Sequence, residues 1–169
     1  MTTEIRRVDA GYELRSTQWV PQPVDRVFAF FSDAANLELL TPKSLQFEIL
    51  TPNIEMAVGA RIDYRLRLLG VPLRWQSEIT AWDPPNRFID EQRRGPYRHW
   101  RHEHRFGISK GGTRVQDTVH YAVPGGSVVH VLFVKWQLRH IFRHRARRLQ
   151  EVLHEHIPDP RAGNDKPGA

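Results

Sequence analysis

A chain of 169 residues with 40% hydrophobic and 10% aromatic content is most simply one domain with a real core. It has no cysteine, which excludes disulfides and thiolate chemistry and limits any zinc site to His and carboxylate ligands. No run reaches the roughly 18–20 apolar residues of a membrane span, and MTTEIRRVDAGYE lacks the apolar stretch of a signal peptide, so a cytoplasmic protein is the expectation. The net charge of +6 suggests nucleic acid or an anionic membrane surface as partner. Much of the excess lies in Arg139, Arg143, Arg145, Arg147 and Arg148, spread over the polar side of one predicted helix. That pattern reads as a solvated face before a nucleic-acid groove, with weak contact to an anionic membrane surface as the alternative.

Residues 1–11 are expected to be an N-terminal tail. Tyr12–Val20 alternates weakly and reads as the first strand, ended by Pro21 and Pro23. Pro23 suits a helix start, and Val24, Val27, Phe28 and Phe31 fall at helical spacing as core. Ser32 and Asp33 cap a second short helix over Ala34–Leu40, closed by Thr41-Pro42. Strands follow at Leu45–Leu50, Arg61–Leu68, Leu73–Trp82 and Arg87–Arg93, with a turn at Asp83-Pro-Pro-Asn86. They are too closely spaced for crossover helices, so the sheet is predicted to be largely antiparallel.

The stretch Gly95–Tyr121 carries the most chemistry. Trp100, His102, His104 and Phe106 alternate onto one face, with Arg101, Glu103 and Arg105 opposite. A turn at Ser109–Gly112 sets Phe106 against Val115, His104 against Asp117 and His102 against Val119. Pro124-Gly-Gly126 then ends the sheet. Ser127 is positioned to cap a long helix to about His156, whose apolar face is read as Val131, Val134, Leu138, Ile141, Phe142, Leu149, Val152 and Leu153. Residues 12–156 form the predicted domain, and 157–169 a disordered polar tail.

His104 beside Asp117 is an acid/base arrangement, and equally a way to satisfy two buried polar groups; no nucleophile accompanies it. His102 and His104 at i, i+2 share a strand face as a metal would require, with Asp117 as a third ligand, but no fourth group is evident and no metal site is predicted. The glycine pairs are turn glycines and do not form a phosphate loop, so no cofactor is predicted.

The segments VPQPVDRVFAFFSDAANLELLTP, GPYRHWRHEHRF, GGTRVQDTVHY and VPGG, in this order of elements, resemble the START-like superfamily (polyketide cyclases and coenzyme Q-binding START proteins), in particular a bacterial ligand-binding branch. The resemblance spans about residues 12–154. It implies an α+β helix-grip fold: a curved antiparallel sheet wrapped around a long C-terminal helix, with two short helices after the first strand and an elongated apolar cavity between sheet and helix. By parity, the residues expected to line that cavity are Tyr64, Leu66, Trp75, Trp100, His102, His104, Asp117 and Tyr121 from the sheet, and Leu138 and Phe142 from the helix. The expected function is to bind a small or elongated hydrophobic molecule of quinone, polyketide, sterol-like or acyl type. A cyclase- or hydratase-like enzyme using His104 with Asp117 is the second reading. Nothing in the sequence argues an oligomeric state.

Overall fold

Strict alternation of apolar and charged residues drives most of this chain into strands that bury one face. In the computed structural model, which describes residues 2–68 and 70–154, the strands are β1 (Thr2–Val8), β2 (Gly11–Val20), β3 (Glu48–Ile49), β4 (Arg61–Leu68), β5 (Val71–Asp83), β6 (Arg87–Arg94), β7 (His99–Ser109) and β8 (Gly112–Ala122). They form one antiparallel sheet in the order β1-β2-β8-β7-β6-β5-β4-β3. Two short helices, α1 (Val24–Ser32) and α2 (Asn36–Leu40), leave the sheet after β2. After β8 come α3 (Gly126–Val129), a π turn at His130–Val134 and the long α4 (Lys135–His154). This is the helix-grip architecture.

The N-terminal segment corrects one expectation. Residues 2–8 are not a tail but an edge strand, so two strands precede the helix pair. Its own pattern is weak; what orders it is pairing with β2, the Arg6–Glu13 ion pair at 2.7 Å and partial burial of Ile5 against Leu14 and Val119. The strand expected over Leu45–Leu50 shrinks to Glu48–Ile49, because Lys43–Leu45 forms a 3-10 turn and Gln46 takes a left-handed conformation. The expected tail at 157–169 lies outside the described residues.

The β7–β8 hairpin has the anticipated register: His104 faces Asp117, His102 faces Val119 and Phe106 faces Val115. Its two-residue turn places Lys110 and Gly111 at positive φ, the twist that suits a tight hairpin. In β5–β6 the register shifts twice, between Gln76 and Ser77 and between Ile79 and Ala81. Such bulges bend a sheet, and here they accompany its curl around α4.

Helix entry also differs from expectation. Gly125, at φ 80°, occupies the N-cap position and Ser127 makes no cap bond, because the left-handed glycine sets the direction of the chain. The π turn inserts residues into the helical repeat. Past it, Leu138, Phe142, Ala146, Leu149 and Leu153 are buried, whereas Val131, expected on the buried face, is exposed. The far end of α4 packs with Val27, Phe28 and Phe31 of α1 and Phe88 and Phe106 of the sheet. Gln22, between β2 and α1, ties α4 to β8: its Nε2 donates to the Leu153 carbonyl at 2.9 Å, and its own carbonyl accepts from Thr113 Oγ1 at 2.7 Å. No described helix is long and apolar enough to cross a membrane.

Candidate functional site

Curling an apolar sheet face around an apolar helix leaves space wherever the side chains do not meet. Here that space is a cavity of about 210 Å³, with residues of α1 and α2 also on its wall. It exceeds the roughly 150 Å³ apolar cavity that admits benzene. Its walls are mainly apolar and aromatic. Of the ten predicted residues, Tyr64, Leu66, Trp75, Trp100, His102, His104, Leu138 and Phe142 line it. Asp117 and Tyr121 do not. Asp117 lies behind the two histidines, and Tyr121 packs between Tyr12 and Trp100 with its hydroxyl hydrogen-bonded to His130 Nε2 at 2.9 Å.

The aromatic wall is built across strands. Trp75 stacks on Tyr64 at 5.9 Å and meets Trp100 edge-on at 5.3 Å. Ser77 Oγ satisfies both polar edges, accepting from Trp75 Nε1 at 3.1 Å and sharing a 2.7 Å hydrogen bond with the Tyr64 hydroxyl. Burial pushes the phenols of Tyr64 and Tyr97 upward, so both stay neutral.

At one side of this apolar wall is a buried cluster of four ionisable groups. His102 Nε2 donates to Asp117 Oδ1 at 3.1 Å, and His104 Nε2 donates to Asp90 Oδ2 at 3.1 Å. His104 Nδ1 lies 2.8 Å from the same Asp117 oxygen, but out of line for a hydrogen bond, so that contact is ionic. The two imidazoles are 3.8 Å apart, and His104 stacks on Phe88 at 4.2 Å. The expected His104–Asp117 pair is thus half of a larger arrangement.

Burial is the largest single influence on all four groups, and their partners decide the outcome. For Asp117, burial opposes ionisation, but the Arg145 charge and the two histidine contacts outweigh it and hold the carboxyl well below its ordinary value. Asp90 is lowered in the same way, against burial, by the His104 hydrogen bond and the positive charges around it. His104 is raised, because its two carboxylate contacts outweigh burial. His102 is lowered by burial and by the neighbouring His104 charge. The two carboxyls thus favour their charged form, His104 is biased towards the imidazolium and His102 towards the neutral ring, with the Arg145 charge nearby.

Asp90 and Arg145 were missed in the sequence. Asp90 stands opposite His102 in the β6–β7 register, so it shares the inward face. Arg145 was counted with the solvated arginines, yet it lines the cavity, with its guanidinium 5.2 Å from the Phe31 ring centroid. Its Nε is buried without a hydrogen-bond partner. A signal for it existed: Arg145 falls in the buried stripe, three residues after Phe142 and four before Leu149.

Asp90, His102 and His104 offer ligand atoms within 4.8 Å of one another, a span compatible with a metal ion. The carboxylate in that geometry is Asp90 and not Asp117 as the sequence suggested. The donor chemistry fits a cation poorly: binding would require the proton of His104 to leave, break the His104–Asp90 hydrogen bond and add positive charge near Arg145.

A curved antiparallel sheet gripping a long helix, with a cavity between them, defines a helix-grip protein of the START-like class. The chain belongs to the polyketide cyclase / dehydrase and lipid transport family, whose description matches residues 20–150. Similar solved structures include a protein from Arthrobacter aurescens at TM-score 0.70 and 14% identity, covering 98% of each chain. Protein Ms6760 from Mycobacterium smegmatis aligns at TM-score 0.67 and 18% identity over 92% of this chain and 99% of that one. Ara h 8.0201 aligns at TM-score 0.60 and 17% identity, over 85% and 98% respectively. At these identities the likeness is one of fold. A search of curated proteins finds no match.

Proposed function

We propose that the protein binds a small hydrophobic molecule that carries an oxygen acceptor at one end. The observation that carries this reading is a mainly apolar cavity whose lining includes the Arg145 side chain beside Asp90, His102 and His104. A ligand carbonyl, carboxylate or phenolate would accept a charge-assisted hydrogen bond from the guanidinium. Trp75, Trp100, Leu138 and Phe142 would cover the apolar body, while the His102–His104 side of the cavity supplies further polar contact. Among the ligand types expected from the sequence, this favours quinone, polyketide and acyl molecules, whose oxygens are strong acceptors. Native mass spectrometry of freshly purified protein, followed by extraction, tests the reading. A retained or readily loaded molecule with an apolar body and an acceptor supports it; failure to retain or take up any of a fatty acid, a quinone and an aromatic polyketide sinks it.

A second reading is favoured by one observation. His102 and His104 are neighbours pushed in opposite directions, as acid/base pairs are. A cyclase- or hydratase-like reaction would use His102 as the proton acceptor, with His104, whose two ring nitrogens both face carboxylates, holding the charge of the cluster. Turnover of a bound ligand that disappears in a folded His102→Gln protein would support it, and release of the ligand unchanged by the native protein would exclude it.

A further inference from the structure

The start of the C-terminal helix carries a feature the cavity does not use. Val128 (66% exposed), Leu132 (63%) and Trp136 (67%) recur at four-residue steps on the outer side, joined by Val131 (63%) and the partly exposed Phe133. Among the described residues, the ring of Trp136 stacks only on His140, at 5.9 Å. A contiguous exposed apolar stripe of this kind marks an interaction surface.

The helical segment itself carries only basic charge there. No Asp or Glu occurs between Thr118 and Gln150, while Lys135, Arg139, Arg143, Arg145, Arg147 and Arg148 all lie in that span. The contrast with the sheet is informative. On its outer face, Arg61 and Arg93 pair with Glu78, and Arg6 and Arg15 pair with Glu13. On the helix, Arg147 and Arg148 are paired with Glu151. Lys135, Arg139 and Arg143 have no ion-pair partner among the described residues, and their four-residue steps run beside the apolar stripe. One helix face thus presents apolar side chains flanked by unpaired cations, the pattern of a helix lying in a bilayer interface with its charges among anionic headgroups.

We infer that the outer face of the helix from Val128 to Arg143 docks on an anionic membrane surface. Leu132 and Trp136 enter the headgroup–acyl boundary, and Lys135, Arg139 and Arg143 meet lipid phosphates. A second copy of the chain fits this face less well, because a symmetric contact would bring the same unpaired cations together. RNA would satisfy the cations but leaves Val128 and Leu132 without a role. The inference is independent of what the cavity holds.

Flotation of the full chain with vesicles tests it, comparing equal parts phosphatidylglycerol and phosphatidylcholine with phosphatidylcholine alone at low salt. The expected result is binding to the mixed vesicles only, weakened by added salt. Arg139→Gln/Arg143→Gln loses about fivefold per charge removed, and Leu132→Ser/Trp136→Ser abolishes flotation with an unchanged circular dichroism spectrum. If the serine variant fails to fold, lipids brominated in the acyl chain provide a second readout. They quench the tryptophan fluorescence of the native protein, and less so that of Trp136→Phe. Absence of flotation, binding that survives the serine substitutions, or a native dimer that hides Trp136 from the quencher would each overturn the inference.

Discussion

Replacing Asp117 by Asn is the sharpest test of the buried cluster. The substitution keeps the side chain's size, so it creates no cavity; it removes only the charge that His102 and His104 face at 3.1 and 2.8 Å. In the native protein that carboxylate, together with Asp90, holds His104 protonated against burial. Without it, His104 must either remain a poorly compensated buried cation or lose its proton. Removing one partner of a buried ion pair costs about 3–5 kcal/mol. With a urea m-value of about 2 kcal/mol/M, the unfolding midpoint should fall by roughly 1.5–2.5 M. The same sample should show His104 titrating lower than in the native protein when followed by NMR of the imidazole. A midpoint shift below about 0.5 M with an unchanged His104 titration would refute the account, because the carboxylate would then not be what sustains the imidazolium.

The cluster also predicts the pH profile of stability. Asp90 and Asp117 are held below 3.8, so their contribution is complete above about pH 5 and is lost as pH falls through their folded values. His104 is held above 6.5, so its contribution is full below that pH and fades as pH rises through the raised value; His104→Gln should remove this alkaline limb from a series of denaturation midpoints. His102 is held below 6.5 and acts oppositely, losing stability as pH drops beneath 6.5, a loss that His102→Gln should abolish. Arg145→Met should lower stability, because its charge helps hold Asp117 ionised, and in the folded protein should weaken an acceptor-bearing ligand by about 1.5–3 kcal/mol, measured by calorimetry, while a purely hydrocarbon probe binds as before. Tyr121→Phe should cost about 1 kcal/mol in thermal or urea unfolding through its bond to His130 and leave ligand affinity unchanged, because Tyr121 is off the cavity wall. Gly112→Ala should destabilise by about 1–3 kcal/mol, since its Cβ would fall 2.3 Å from the Val20 carbonyl oxygen.

The sequence by itself determined the features set by local periodicity. Alternation placed Ile62, Tyr64 and Leu66 inward on β4 and fixed the β7–β8 register, because a one-residue slip would expose every buried side chain of the hairpin. Pro23 and Thr41-Pro42 bounded the helix pair for reasons internal to the backbone. Tertiary structure decided what depends on partners distant in the chain. β1 exists because β2 is there to pair with it, and no pattern in Thr2–Val8 requires it. Asp90 escaped because Phe88 and Ile89 are both buried beside a register shift, which erases simple alternation just where the acid falls. Arg145 is hidden among the other helix arginines by its charge, although its position three residues after Phe142 puts it on the buried stripe. Val131 turned outward because the π turn resets the helical repeat, a change that propensity does not encode. Periodicity reports which way a side chain points from its own strand or helix. Whether it then meets core, cavity or solvent depends on the element packed opposite, and that is a property of the assembled fold.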